Sequence, residues 1–306
     1  MSSHENGKSG SARNIDAARP ETSSKDASGL VAKLKAFVPN GLMATLSGET
    51  RLASTEEERD AYIHEVRHEI AGWNGTGALR LVHEIGRHQI ATGVRGDVAE
   101  IGVHHGQLLI FLMMMLRNEE QAVAIDLFEE QHLNIDASGK GDRETMTGNV
   151  ERYVPKLASR LTVIAGDSTR LKPGELRGPR RSQVRLFSVD GGHTRDVVIN
   201  DLFLAADALH DAGVVVLDDV FNAYFPGVGE GLSAYVNGGA DVSRFKSYAN
   251  LERRLIPFAI GCNKVLLAFE PHHRKYAQML MKSPLAPCIK GKAIGWGNDD
   301  IPVFEM

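Results

Sequence analysis

Five short apolar runs, each with a carboxylate at or next to its end, constrain this chain more than any other feature in it. They are Val98-Ala99-Glu100-Ile101, Ala122 to Asp126, Leu161 to Asp167, Val184 to Asp190, and Gly213 to Asp219. Stretches with helical spacing lie between them: Gln107 to about Leu116, about Glu144 to Ala158, and Thr194 to Asp211. Near-continuous β-branched runs of this kind are strands buried on both faces, hence a parallel sheet with helices on either side. Parallel strands present their carboxyl ends along one rim, where ligands bind. That rim would carry Glu100, Asp126, Asp167, Asp190 and the pair Asp218-Asp219. Crowded carboxylates repel and lose hydration. A cation or a hydroxyl-rich ligand would answer them.

The first of these ends is the most detailed. Glu100-Ile101-Gly102-Val103-His104-His105-Gly106 is an apolar strand entering a turn bracketed by two glycines, followed at Gln107 by an apolar helix. Glycines let the backbone approach a ligand that a Cβ would obstruct. A helix N-terminus after the turn is the usual seat of a nucleotide-like group. Glu100 is placed to accept hydrogen bonds rather than to cradle phosphate.

The flanks read differently. Residues 1–28 are rich in Ser, Lys, Asp, Glu, Gly and Ala, and are expected to be a disordered tail. Residues 29–93 form a helical extension: a short amphipathic helix from Val31 to Val38, then a helix started by a capping box at Thr55 and Glu58 and running to about Trp73. Tyr62, Ile63, Val66, Ile70 and Trp73 share one face of it. A further helix covers Ala78 to about Ala91. These helices are expected over the ligand edge of the sheet or in a homodimer contact. His64, His68, His83 and His88 fall mostly on polar faces and are expected in solvent. At the other end, Leu255–Ile260 and Lys264–Phe269, joined at Gly261-Cys262-Asn263, predict an antiparallel hairpin. A helical piece from about Arg274 to Lys282 and a loop with Trp296 and Phe304 close the chain.

The expected fold is therefore α/β: a doubly wound, mostly parallel seven-stranded sheet with a C-terminal antiparallel hairpin, preceded by the helical extension, with the main domain at 94–306. A net charge of −4 gives no general nucleic-acid or membrane footprint. The most apolar run, Leu108 to Leu116, is far short of the ~20 residues that span a bilayer. Cys262 and Cys288 match neither a metal spacing nor a disulfide framework, so reduced thiols in a cytoplasm are expected.

From Val94 to Phe269 the chain resembles the class I S-adenosylmethionine-dependent methyltransferases. The turn from Glu100 to Gly106 has the form E-x-G-x-x-x-G, a departure from the commoner G-x-G-x-G of that family. The resemblance implies that Glu100, Gly102, His104 and Gly106 contact the cofactor. It implies that Asp126, with Leu127 beside it, holds the ribose hydroxyls. Asp167 and Ser168 fall at the adenine, and Asp190 also borders the cofactor. The rim's negative potential suits a sulfonium cation. A nicotinamide-dependent oxidoreductase also uses an acidic residue after its second strand, but favours G-x-G-x-x-G. It has no need of Asp167, Asp190 and Asp218 together.

Asp190-Gly191-Gly192-His193 and Asp218-Asp219 are similar to segments of the metal-dependent O-methyltransferases of the macrocin and mycinamicin type. The similarity implies Asp190, Asp218 and Asp219 as Mg²⁺ ligands and His193 as the base that takes the acceptor hydroxyl proton. Oxygen-rich clusters suit Mg²⁺, and imidazole titrates near neutrality. The expected partner is a small-molecule hydroxyl, on a sugar or another natural product, and neither nucleic acid nor membrane. The alternative is a cofactor-binding protein without transferase activity. The connection Leu127 to Asp142 is long for its place and contains Gly-Lys-Gly, which predicts a mobile segment over the rim. Residues Phe221 to Gly231 are expected to shape the acceptor pocket.

Overall fold

The computed structural model describes residues 52–177, 183–248, 252–293 and 300–306. The expectations for residues 1–28, for Val31–Val38 and for Trp296 lie outside the described residues. In chain order the strands are β1 (Asp97–Ile101), β2 (Ala122–Asp126), β3 (Leu161–Ala165), β4 (Val184–Val189), β5 (Leu209–Leu217), β6 (Ile256–Gly261), β7 (Lys264–Ala268), β8 (Ile289–Ala293) and β9 (Ile301–Phe304). The helices are α1 (Glu56–His64), α2 (Thr76–Ala91), α3 (Gln107–Met114), α4 (Arg143–Tyr153), α5 (Arg195–Ala208), α6 (Pro226–Val236) and α7 (His272–Leu280).

Among the described residues these nine strands form one sheet in the order β3-β2-β1-β4-β5-β7-β6-β9-β8. The five strands from β3 to β5 are parallel, and β7 and β6 return antiparallel as the expected hairpin. The expected seven strands are thus present, and β9 and β8 extend the sheet beyond them. β8 had no sequence signal, because Ile289-Lys290-Gly291-Lys292-Ala293 is neither apolar nor cleanly alternating, and Phe304, expected in a loop, instead ends the short buried strand β9. The exposed lysines of β8 suit an edge, where charge discourages further pairing.

Register sets up the rim. Ile101 is level with Ile125 on one side and Val189 on the other, and Val189 is level with Leu217. Gly102, Asp126, Asp190 and Asp218 therefore leave the sheet at one height. Order reverses between β1 and β4, which opens a crevice above their carboxyl ends. β1 and β4 are buried along their whole length, and α3 is buried at every residue. That accounts for its apolarity on all sides.

The capping box is present, with Thr55 Oγ1 accepting from Glu58 N and Glu58 Oε2 accepting from Thr55 N. The helix it starts is shorter than expected. α1 ends at His64, and Val66–Glu69 is a 3-10 turn. Tyr62, Ile63, Val66 and Ile70 are buried as expected, but Trp73 is 78% exposed. His83 also departs from expectation: it is buried and accepts from Arg59 Nε at 3.2 Å. A buried arginine partner is invisible to helical spacing.

Gln107 fastens the extension to the rim. Its Oε1 accepts from Asn74 N at 2.9 Å, and its Nε2 donates to the carbonyls of Arg67 and Ile70. The Tyr62 hydroxyl donates to the Gln107 carbonyl at 2.5 Å. The segment before α2 is thereby held over the carboxyl edge of the sheet. No helix among the described residues is long and apolar enough to cross a membrane.

Candidate active site

A cavity of about 710 Å³ opens above the crevice, within the size range of small-molecule pockets. All six strand-end carboxylates line it, from Glu100 to Asp219, with Gly102, His104, Leu127, Ser168 and His193. Gly106 does not line it. The two glycines of the turn have reasons of their own. Gly102 has φ +82°, and a Cβ there would stand 1.7 Å from the Asp190 carbonyl. Close approach of the β4 loop, rather than of a ligand, requires this glycine. Gly106 has φ +87° and is the left-handed N-cap of α3.

Asp126 closes β2 with both oxygens engaged. Oδ2 accepts from His104 N at 2.8 Å and Oδ1 from Phe128 N at 3.0 Å. Each oxygen keeps a second lone pair for a ligand hydroxyl. The His104 ring stacks on His105 at 3.9 Å and lies beside Trp73 at 4.9 Å. Burial, with the neighbouring His105, pushes its pKa down, so it sits there neutral. Asp167 caps the turn that follows β3 by accepting from Thr169 N.

Deeper in the cavity, Glu100, Asp190 and Asp218 share a single ammonium. Lys264, the first residue of β7, is buried and pairs with Asp218 Oδ2. Burial would strip its proton, but Asp218 and Asp190 hold it charged. One ammonium does not answer three carboxylates. Burial raises the pKa of Glu100 well above the usual range, with Asp126 and Asp218 adding to it against Lys264. Burial and Asp218 raise Asp190 in the same way. Glu100 Oε2 is buried with no hydrogen-bond partner.

The turn between β6 and β7 has Cys262 at φ +53° and Asn263 at φ +66°, two left-handed residues in the manner of a type I′ hairpin. Asn263 positions the loop after β5: its Nδ2 donates to Asp219 Oδ1 at 2.7 Å and its Oδ1 accepts from Phe221 N. Asp219 Oδ2 then reaches His193 Nε2 at 3.1 Å. Ligand atoms of Asp190, His193 and Asp219 all lie within 4.8 Å of one another. Asp218, expected beside them, instead faces Lys264. His193 is half-buried, stacked flat on Phe225 at 3.8 Å, and its Nδ1 faces Asp136 Oδ2 at 2.8 Å. Burial alone would lower its pKa, but hydrogen bonds to Asp219 and Asp136 outweigh burial and raise it.

Sequence reasoning missed Lys264, Asn263 and Asp136. Lys264 at the mouth of an apolar strand was a signal, since a lysine there must be paired to be buried. Glu230, in the expected acceptor region, pairs with Arg195 at the surface.

Asp201, on α5 beneath the turn at Gly191, is another buried carboxyl. Its Oδ2 has no partner, and burial pushes its pKa up to about 7, against hydrogen bonds from Ser168 and Asn200. A carboxyl raised in this way favours folding while protonated, and stability falls as pH rises from the unfolded value toward about 7. Asp201→Asn should therefore raise the melting temperature relative to wild type by several degrees more near pH ~8 than near pH ~5. Melting curves at both pH values check this; a pH-independent difference would contradict it.

Residues 99–220 match a family model described as a methyltransferase domain. The match runs from β1 past the end of β5 and takes in the whole row of strand-end carboxylates and His193. The resemblance seen in the glycine turn and the strand ends agrees with this match. No curated protein matches. Among solved structures, the O-methyltransferase NovP aligns with a TM-score of 0.48 at 19% identity, over 67% of this chain and 87% of that one. The O-methyltransferase TomG from Streptomyces achromogenes, in complex with SAM, gives 0.44 at 14%, over 79% and 95%. MycE methyltransferase from the mycinamycin biosynthetic pathway, in complex with Mg and SAH, gives 0.41 at 16%, over 72% of this chain and 55% of that one.

Proposed function

We propose that this chain moves a methyl group from S-adenosylmethionine to a hydroxyl of a small molecule. The observation that carries the reading is the excess of buried carboxylate over ammonium in a cavity that His193 also lines, within 4.8 Å of Asp190. Glu100 Oε2 lacks a partner there and suits the ammonium of the donor's amino-acid portion. Asp126 suits the ribose hydroxyls, and Asp167 with Ser168 border the adenine position. The surplus negative potential favours a sulfonium over its neutral product, which helps product leave.

The chemistry is an in-line displacement. The acceptor oxygen forms a bond to the methyl carbon as the carbon–sulfur bond breaks. The electron pair of that bond stays on sulfur, giving S-adenosylhomocysteine. The hydroxyl proton passes to His193 Nε2. Holding donor and acceptor in line supplies much of the rate.

The donor set also fits a hard divalent ion. Asp190 and Asp219 offer carboxylate oxygens within reach of each other, and burial of Asp190 beside other carboxylates favours a cation over none. Asp218 would join them only by sharing its carboxylate with Lys264. When bound, Mg²⁺ would make the acceptor hydroxyl more acidic.

Thermal melts test the cofactor. S-adenosylmethionine or S-adenosylhomocysteine should raise the melting temperature, while NAD should leave it unchanged; stabilisation by NAD alone would refute the reading. With an acceptor found by screening small hydroxylated molecules, EDTA should abolish turnover yet leave the cofactor-induced shift intact. Normal turnover after EDTA treatment would remove the ion from the proposal.

A further inference from the structure

The connection from β2 to α4 lies over the rim and carries a carboxylate to which neither the sequence motifs nor the proposed chemistry assigns a task. Asp136 Oδ2 accepts from His193 N at 3.0 Å and faces His193 Nδ1 at 2.8 Å. Asp136 Oδ1 accepts from Ser138 N at 3.0 Å and from the Ser138 hydroxyl at 2.5 Å, so the carboxylate is fixed from its far side. The Ser138 hydroxyl itself lies 3.1 Å from His193 Nδ1. An ionised carboxylate can only accept. Both ring nitrogens face carboxylates, Nδ1 at 2.8 Å from Asp136 and Nε2 at 3.1 Å from Asp219, so each can carry a proton; the shorter contact, on a carboxylate fixed from its far side, keeps the proton on Nδ1 and leaves Nε2 to exchange. Phe225 lies flat against the ring, 10° from parallel, and blocks tilting.

The same connection reaches the cofactor side. A Cβ on Gly141 would stand 2.4 Å from Asp126 Oδ1, and one on Gly139 would stand 3.8 Å from His104 Cδ2. The backbone there lies directly on the carboxylate assigned to the ribose. One loop thus touches both ends of the cavity, and only its Asp136 side chain grips the imidazole with charge.

We propose that Asp136 is a positioning residue: it holds His193 through Nδ1 and the backbone N–H, so that Nε2 is presented to the acceptor only while the loop lies over the rim. The base role of His193 in this statement rests on the methyl-transfer reading; the grip on the ring does not. A carboxylate on a connecting loop gives the enzyme a way to assemble its base after the donor is covered. Charge-assisted hydrogen bonds are the strong ones, so a single side chain suffices to bias such a loop.

The test uses the full chain labelled with ¹⁵N-histidine and needs neither cofactor nor acceptor. Long-range ¹H–¹⁵N spectra above the ordinary imidazole range report which ring nitrogen is protonated. The His193 signals are those absent from His193→Gln. Wild type should show His193 protonated at Nδ1. Asp136→Ala should lose that preference, and Asp136→Asn, whose carbonyl oxygen can still accept, should keep it. In parallel, trypsin should cut after the exposed Lys140 about tenfold faster in Asp136→Ala than in wild type, with Asp136→Asn close to wild type. An unchanged Nδ1 preference or an unchanged cleavage rate in Asp136→Ala overturns the proposal. If both change as stated while S-adenosylmethionine fails to stabilise wild type, the grip stands and the methyl-transfer reading falls.

Discussion

Asp126→Ala is expected to weaken S-adenosylmethionine binding by about 100-fold, the largest loss from any single change on the cofactor side. Hydrogen bonds to a charged group contribute roughly 1.5–3 kcal/mol each, and two vicinal hydroxyls would meet this carboxylate. Neighbouring side chains offer no substitute, because Glu100 and Asp190 lie deeper, around Lys264. The carboxylate also organises the turn itself. It accepts from His104 N, which has φ +54°, and from Phe128 N, which has φ +44°. Two residues held in the left-handed region lose their anchor in the alanine variant. Asp126→Asn separates the two effects, since its single carbonyl oxygen can keep one of these bonds. Isothermal titration with S-adenosylhomocysteine measures the outcome. Wild-type affinity in Asp126→Ala would mean that the ribose lies elsewhere.

His193→Ala should reduce methyl transfer by 10²- to 10⁴-fold, about the contribution of a positioned general base. Binding of S-adenosylhomocysteine should be unaffected, because the ring contacts Asp136, Asp219, Ser138 and Phe225 and none of the residues assigned to the cofactor's ribose or adenine. The separation of the two readouts matters. A side chain that merely props the cavity open would lower both together. The histidine is well placed for a base because it is flanked on both nitrogens by carboxylates that stabilise the imidazolium formed when it takes a proton. Its raised pKa has the same origin. Release of ¹⁴C-labelled product from methyl-labelled donor, with the acceptor identified by screening, gives the rate. Transfer within about threefold of wild type would assign the proton to another group, since even the weaker general bases contribute on the order of 10²-fold.

Much of the fold was legible in order along the chain. Each apolar run became the strand expected, within one or two residues at β1, β2 and β4, and the capping box at Thr55 formed as read. The departures have physical causes. α1 stops at His64 because the chain must turn to deliver Ile70 and Asn74 to Gln107, a contact set by a residue more than thirty positions away. β8 gave no signal because an edge strand needs charge on its open side rather than apolar alternation, and β9, an inner strand between β6 and β8, is only four residues long with Pro302 inside it. β5 begins at Leu209, earlier than expected, because the chain passes from α5 into the strand with no loop between them.

The sequence alone determined that carboxylates would end the strands and that register would bring them to one rim. Local pattern specifies a strand, and buried parallel strands can align in few ways. Which of those carboxylates meets which cation was decided only by the tertiary structure. Asp218 turned to Lys264 on β7, Asp219 was held toward His193 by Asn263 from the hairpin, and Asp136 arrived from the far side on a loop. Pairing between charges depends on distances across the cavity, and no spacing along a single chain encodes distances between separate elements.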